Sequence, residues 1–198
     1  SRLAVFKVYV PKRSSILIEN PVDQIACFQI LSGSGFFEKQ YVSEKHIIFL
    51  PQKTKVTFQA EEETIFLKTV VRDFQRYEKF NNKPTEDIKI INWFNEPVLQ
   101  SEHDARQRVY IATKNLWGTY AIKGEIIIYP PNTNAPSHYH VGAEHFQYVL
   151  FGRGSVLLGE EEIDLEAGDL IYNFENEIHS FENRYKEQFS FVEFFVPG

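Results

Sequence analysis

The stretch Asn132-Thr-Asn-Ala-Pro-Ser-His138-Tyr-His140-Val-Gly-Ala-Glu144-His145-Phe-Gln-Tyr-Val-Leu-Phe-Gly152 holds three of the six histidines of a 198-residue chain, and a fourth, His179, lies further along. Imidazole nitrogens are strong ligands for divalent iron, nickel, copper, cobalt and zinc. His138 and His140 are two residues apart, so on an extended chain both side chains point to one face and can hold one ion together. Glu144 and His145 are neighbours, so only one of them can share a face with a given ligand set.

Outward from this stretch the chain keeps the same texture. Short β-branched and aromatic runs bounded by Gly, Pro, Asn or charged residues recur at 4–10, 25–31, 47–50, 56–58 and 65–71, and again at 109–112, 125–129, 146–151, 155–158, 170–173 and 189–196. Helical periodicity is scarce, and the pattern is that of an all-β sandwich or barrel. The polar stretch 73–107, with Asn81-Asn-Lys-Pro84 and Ser101-Glu-His-Asp104, reads as a linker with one short helix. Overlaying the halves sets Phe28-Gln-Ile-Leu-Ser-Gly-Ser-Gly35 against Phe146-Gln-Tyr-Val-Leu-Phe-Gly-Arg-Gly154, two copies of one unit. Expected domains are a barrel at 1–72, the linker at 73–107 and a second barrel at 108–198.

Composition narrows the partners. Twenty-one Lys and Arg against 27 Asp and Glu leave a net charge of −6, with the cations scattered, which argues against nucleic acid. No run approaches the roughly 20 apolar residues that span a bilayer, and the first residues lack a secretory signal's plan, so the expectation is no membrane and a cytoplasmic location. The single cysteine, Cys27, excludes an intrachain disulfide and reads as a small core residue. Gly33-Ser-Gly35 and Gly152-Arg-Gly154 are hairpin turns, since no helix follows them, and Glu160-Glu-Glu162 is a solvated turn.

Taken together, these residues resemble the cupins, double-stranded β-helices of the jelly-roll type, in a two-barrel form. The first cupin motif is Gly, five residues, His-x-His, three or four residues, Glu, six residues, Gly. Asn132, His138, His140, His145 and Gly152 fit its spacing, with Asn in the first glycine slot, where a left-handed backbone suits it. In the second motif Gly168, His179 and Asn183 keep the outer spacing, while Phe174-Glu-Asn176 loses the middle Pro and Gly. The resemblance implies metal ligands His138, His140, His179 and either His145, by spacing, or Glu144, by residue type. A bulge would have to absorb one residue in the second case. In the first half Val56 falls in the histidine slot, so that barrel is expected to have lost the metal. His46 and His103 match neither motif and read as surface residues.

Four imidazoles would leave a divalent ion its full charge and two open positions, suiting an anionic or bidentate substrate. Strand parity turns Gln147 and Val149 inward with His145, and Phe181 with His179. Gln147, as a buried amide, could meet water or substrate, and Arg108 suits a carboxylate. Arg108, Tyr110, Trp117 and Tyr129 are expected on strands leading into the motif, and Glu144 or Tyr148 could act as a base. The expected activity is a metal-dependent enzyme on a small oxygenated molecule, foremost an Fe(II) dioxygenase. The alternatives are a zinc-, manganese- or nickel-dependent isomerase or lyase, cobalt or copper also suiting the ligands, and a non-catalytic ligand-binding or sensory protein. The assembly expected is a monomeric two-barrel unit or a homodimer.

Overall fold

The structure, a computed structural model, describes residues 1–79, 82–102 and 104–198; Phe80, Asn81 and His103, the last expected at the surface, lie outside the described residues. The chain divides into two compact units, 2–95 with 114–121, and 96–113 with 122–198 and residue 1. Each unit is two antiparallel sheets with their apolar faces turned inward. No helix among the described residues is long and apolar enough to cross a membrane.

In the N-terminal unit a five-stranded sheet runs β1 (Leu3–Val10), β8 (Thr64–Arg72), β3 (Gln24–Ser32), β6 (His46–Leu50), β9 (Lys89–Asn92). The four-stranded partner runs β2 (Ser15–Glu19), β7 (Lys55–Ala60), β4 (Ser34–Phe37), β5 (Gln40–Ser43). In the C-terminal unit the larger sheet runs β10 (Leu99–Gln100), β11 (Gln107–Ala112), β12 (Lys123–Tyr129), β19 (Phe189–Val196), β14 (Glu144–Phe151), β17 (Leu170–Asn173). Its partner runs β13 (Thr133–Asn134), β18 (His179–Asn183), β15 (Arg153–Leu158), β16 (Glu161–Glu166).

The stretch 73–107 is less of a linker than its polarity suggests. Its Ile90-Ile91 pair supplies β9 to one unit, and Leu99–Gln100 pairs with β11 in the other, so backbone hydrogen bonds enlist residues whose side chains are polar. Its helical content is two 3-10 turns, Phe74–Tyr77 and Trp93–Asn95. Trp117 is not on a strand: it ends the single-turn helix Lys114–Trp117 in the N-terminal unit, where its ring stacks on Phe49 at 5.1 Å.

Inside the N-terminal unit four phenylalanines close a ring of aromatic contacts: Phe28 to Phe66 at 5.3 Å, Phe66 to Phe58 at 5.4 Å and Phe37 to Phe28 at 5.8 Å edge-on, and Phe58 to Phe37 at 5.1 Å tilted. Each such ring removed from water is worth about 1.5–3 kcal/mol. Cys27 is buried, and burial pushes its thiol pKa up. The C-terminal unit has a smaller apolar cluster that includes Tyr129, Val149, Val156, Phe181, Phe189 and Phe191. Beside it, polar side chains are buried as well, His145, Gln147, Asn173, His179 and Glu193 among them.

Strand register corrects the overlay of the halves by one residue. Both β3 and β14 shift register near their ends, between Ile30 and Ser32 and between Val149 and Phe151, just before Gly33 (φ 81°) and Gly152 (φ 77°). Aligned on these features, Phe28 matches Gln147, not Phe146, and Ala26 matches His145. Both strands are buried on both faces, which hides the parity from the sequence.

Candidate metal centre

Two of the motif histidines are locked together by the backbone. His138 and His179 form an antiparallel bridge, exchanging N–H to carbonyl bonds of 2.9 Å in both directions, and their rings lie 4.5 Å apart. His138 Nδ1 donates to the Pro136 carbonyl and His179 Nδ1 to the Glu177 carbonyl, each at 2.9 Å. A carbonyl can only accept, so both Nδ1 atoms carry the proton and both Nε2 atoms keep a lone pair. This outer-shell arrangement presents histidine to a metal.

His140 follows two residues on, its ring 5.1 Å from His138 and 5.4 Å from His179. One ring nitrogen from each of His138, His140 and His179 lies within 4.8 Å of the others, so these three could hold a metal ion. His145 comes from the other sheet, its ring 4.7 Å from His140 and 4.8 Å from His179, and it stacks on Phe195 at 4.6 Å. It is 1% exposed; its Nε2 lies 3.1 Å from Asn173 Nδ2, and its Nδ1 is buried with no hydrogen-bond partner. The triad of His138, His140 and His179, two of them with fixed tautomers, is a donor set that fits a divalent transition ion, and the orphaned His145 nitrogen lies beside it.

Burial is the first cause of low basicity here. It pushes the pKa of His140 down to about 4 and that of His145 to about 2, helped by neighbouring imidazoles and the Lys123 ammonium; it also lowers His179, against the Glu177 carbonyl bond that raises it. Neutral rings with free lone pairs are the ligating form.

Glu144 is half-buried, and its Oε2 accepts the Tyr172 hydroxyl at 2.6 Å. Of the adjacent pair, His145 shares the face of the other imidazoles. Gln147 does not reach for water or substrate: its Nε2 donates to Glu193 Oε2 at 3.2 Å and its Oε1 accepts Asn173 Nδ2 at 2.7 Å. Arg108 already has a carboxylate, Glu125, at 3.5 Å, which Lys123 also engages at 2.8 Å. Tyr110 lies beneath the Lys123 ammonium, 5.4 Å from its ring centroid. The Tyr129 hydroxyl accepts from Arg106 at 3.5 Å. Tyr148 is buried. His46 is half-buried rather than on the surface, its Nδ1 accepting the Ser43 N–H at 3.1 Å.

Asn132 takes the left-handed φ of 56° expected for the first glycine slot. Asn176, at φ 65°, fills the middle glycine slot of the second motif, which the sequence alone leaves as lost. Its N–H holds the His140 carbonyl at 3.0 Å, tying the two motif loops. Sequence reasoning also missed Lys123, Glu125, Asn173 and Glu193. A charged residue inside an otherwise apolar strand, as in Phe-Val-Glu193-Phe-Phe or Gly-Glu125-Ile-Ile, was the available signal.

Residues 125–195 match the cupin domain family. Among curated proteins, an uncharacterized protein of Sinorhizobium fredii, y4oW, is 32% identical over 50 residues, a match covering 25% of this chain and less than a quarter, 23%, of that protein. Among solved structures, a putative glyoxylate-induced protein from Pseudomonas aeruginosa is similar over 98% of this chain and 74% of its own, with TM-score 0.81 and 14% identity. AerE from Microcystis aeruginosa aligns over 99% of this chain and 88% of its own, with TM-score 0.74 and 12% identity. A point variant of oxalate decarboxylase from Bacillus subtilis aligns over 98% of this chain and 69% of its own, with TM-score 0.73 and 14% identity. At these identities the structural likeness speaks for the fold alone: the C-terminal barrel carries the cupin domain match, and the chain as a whole shares the two-barrel fold of these structures.

Proposed function

We propose that the C-terminal barrel is the active site of a metal-dependent enzyme acting on a small oxygenated organic molecule, and that its chemistry is Fe(II)-dependent dioxygenation. The ligands in this reading are Nε2 of His138 and His179 and a ring nitrogen of His140, with His145 as the fourth. The observation that carries it is the pair of fixed tautomers beside two further neutral imidazoles, with no carboxylate in the cluster. Four neutral ligands would leave a divalent ion its double charge, and iron held by these residues would supply substrate chelation and dioxygen activation.

The chain's own residues serve this reading in three ways. Phe195, packed on His145 and His140, keeps water from that side of the cluster. Lys123, half-buried and close enough to act on His140 and His145, favours an anionic substrate. The tied loops carry exposed Tyr139, Val141, Phe174 and Ile178, which suit the apolar part of such a molecule.

Elemental analysis of the purified protein, followed by oxygen uptake on iron-loaded protein with diketones, catechols and flavonols, tests the reading. Stoichiometric iron and uptake with one of these classes supports it; metal-loaded protein inert to all of them counts against it. A second reading, lyase or isomerase chemistry without redox change, is favoured by the buried Glu125–Glu193 carboxyl pair, a proton store that oxygen insertion does not require. Turnover of a carboxylate by zinc- or manganese-loaded protein under anaerobic conditions would select it.

A further inference from the structure

Behind the imidazoles, on the same interior face, runs a file of buried polar side chains. Asn173 stands opposite His145 in register, Gln147 opposite Glu193, and Glu193 opposite Glu125. Asn173 is 0% exposed, Gln147 1%, Glu125 2% and Glu193 9%. The contacts form one line: His145 Nε2 to Asn173 Nδ2 at 3.1 Å, Asn173 Nδ2 to Gln147 Oε1 at 2.7 Å, and Gln147 Nε2 to Glu193 Oε2 at 3.2 Å.

Directions in such a line are coupled: the one end of Asn173 that faces both His145 and Gln147 either donates to both through its NH2 or accepts from both through its oxygen. A neutral imidazole has one N–H and one lone pair, and a carboxamide presents N or O at either position by a half-turn. If Asn173 donates to His145 Nε2, the ring's proton sits on Nδ1, buried without an acceptor and closed to a metal. For Nδ1 to hold a lone pair, Nε2–H must donate to Asn173 Oδ1. That oxygen then faces Gln147 across 2.7 Å, so Gln147 must turn to present its NH2. Its Oε1 then faces Glu193 Oε2, and two oxygens 3.2 Å apart need a proton between them. The proton can only be on Glu193.

The surroundings favour that form. Glu125 is the carboxylate paired with Lys123 at 2.8 Å and Arg108 at 3.5 Å, and it is hydrogen-bonded to Glu193. Two adjacent buried carboxylates do not both ionise. Burial, then Glu125, push Glu193 up to about 8, against the Gln147 bond and Lys123, which lower it; Tyr129 also faces it.

We propose that Glu193 is a positioning residue for the metal: as a carboxylic acid it donates through Gln147 and Asn173, fixes the His145 proton on Nε2 and leaves Nδ1 as a ligand. This rests on the reading of His145 as the fourth ligand. Nitrogen-15 NMR of histidine-labelled, metal-free protein measures the tautomer directly, and Co(II) titration measures affinity and ligand field. The Nε2–H tautomer of His145 is expected at pH 7 in the wild type and in Glu193→Gln, whose amide can also donate. Glu193→Leu, with no donor, should lose that tautomer, bind Co(II) about 10–100-fold more weakly and shift its visible spectrum. An Nδ1–H tautomer in the wild type at pH 7 overturns the proposal whether or not any variant folds. So does Co(II) binding by Glu193→Leu with unchanged affinity and spectrum. A wild type that shows the Nε2–H tautomer yet binds no Co(II) supports the wire and removes the metal reading instead.

Discussion

The two barrels put opposite contents on one lattice. Where the C-terminal unit has His138 bridged to His179, the N-terminal unit pairs Ile18 with Val56. Where it pairs His145 with Asn173, the other pairs Ala26 with Leu50; where Gln147 meets Glu193, the other has Phe28 against Lys68, whose ammonium lies 5.6 Å over the Phe28 ring. The polar set is present in one unit and largely gone from the other, which follows from its energetics. A satisfied buried network is tolerable and a half-satisfied one is worse than an apolar core, so candidate ligands and their supporting amides are expected as a set.

The sharpest way to press this contrast is to damage each interior in its own terms. Phe66→Ala opens the closed ring of phenylalanines and should destabilise the protein by about 3–5 kcal/mol in denaturant unfolding while leaving metal stoichiometry unchanged. His179→Ala is the mirror case. Calorimetric titration should show metal affinity falling by more than about 100-fold, beyond what outer-shell changes produce, and a circular dichroism spectrum that keeps its strand content. Val56→His should create no site in the N-terminal unit, since Ala26, Leu50 and Phe28 offer it no partners.

Acidity separates the barrels more gently. In metal-free protein His140 and His145 refuse protons that the unfolded chain accepts near pH 6.5, so stability falls as pH drops below that value. Glu193 keeps its proton to about 8, whereas an unfolded glutamate loses it at about 4.3, so its contribution is lost as pH rises through that window. Scanning calorimetry should find the C-terminal unit most stable near pH 6.5, with the alkaline decline absent from Glu193→Gln. The apolar cluster of the N-terminal unit contains no group that ionises and should add no such curvature. The smallest effect belongs to Glu144→Gln, expected to cost about 1 kcal/mol or less through the Tyr172 bond and to leave metal binding as it was. Loss of metal in that variant would reverse the assignment of the fourth ligand.

The sequence carried the convergence of the motif histidines well because spacing on strands is rigid: His138, His140 and His179 come together, and Asn132 takes the backbone a glycine would. It carried the rest of the interior poorly. In β14 and β19 both faces are buried, so alternation vanishes, and the pairing of Gln147 with Glu193 or of His145 with Asn173 depends on a register set by residues far apart in the chain. Trp117 was misplaced for a related reason, since one helical turn is too short to leave a period in the sequence.

One consequence follows from where the histidines are rooted. His138 and His179 belong to the smaller sheet of their barrel and His145 to the larger. An ion shared among them would be a rivet through the sandwich, fastening its two layers. Above its dissociation constant each tenfold rise in free metal would then stabilise that barrel by about 1.4 kcal/mol. Loading could therefore be followed as a melting temperature before any substrate is known.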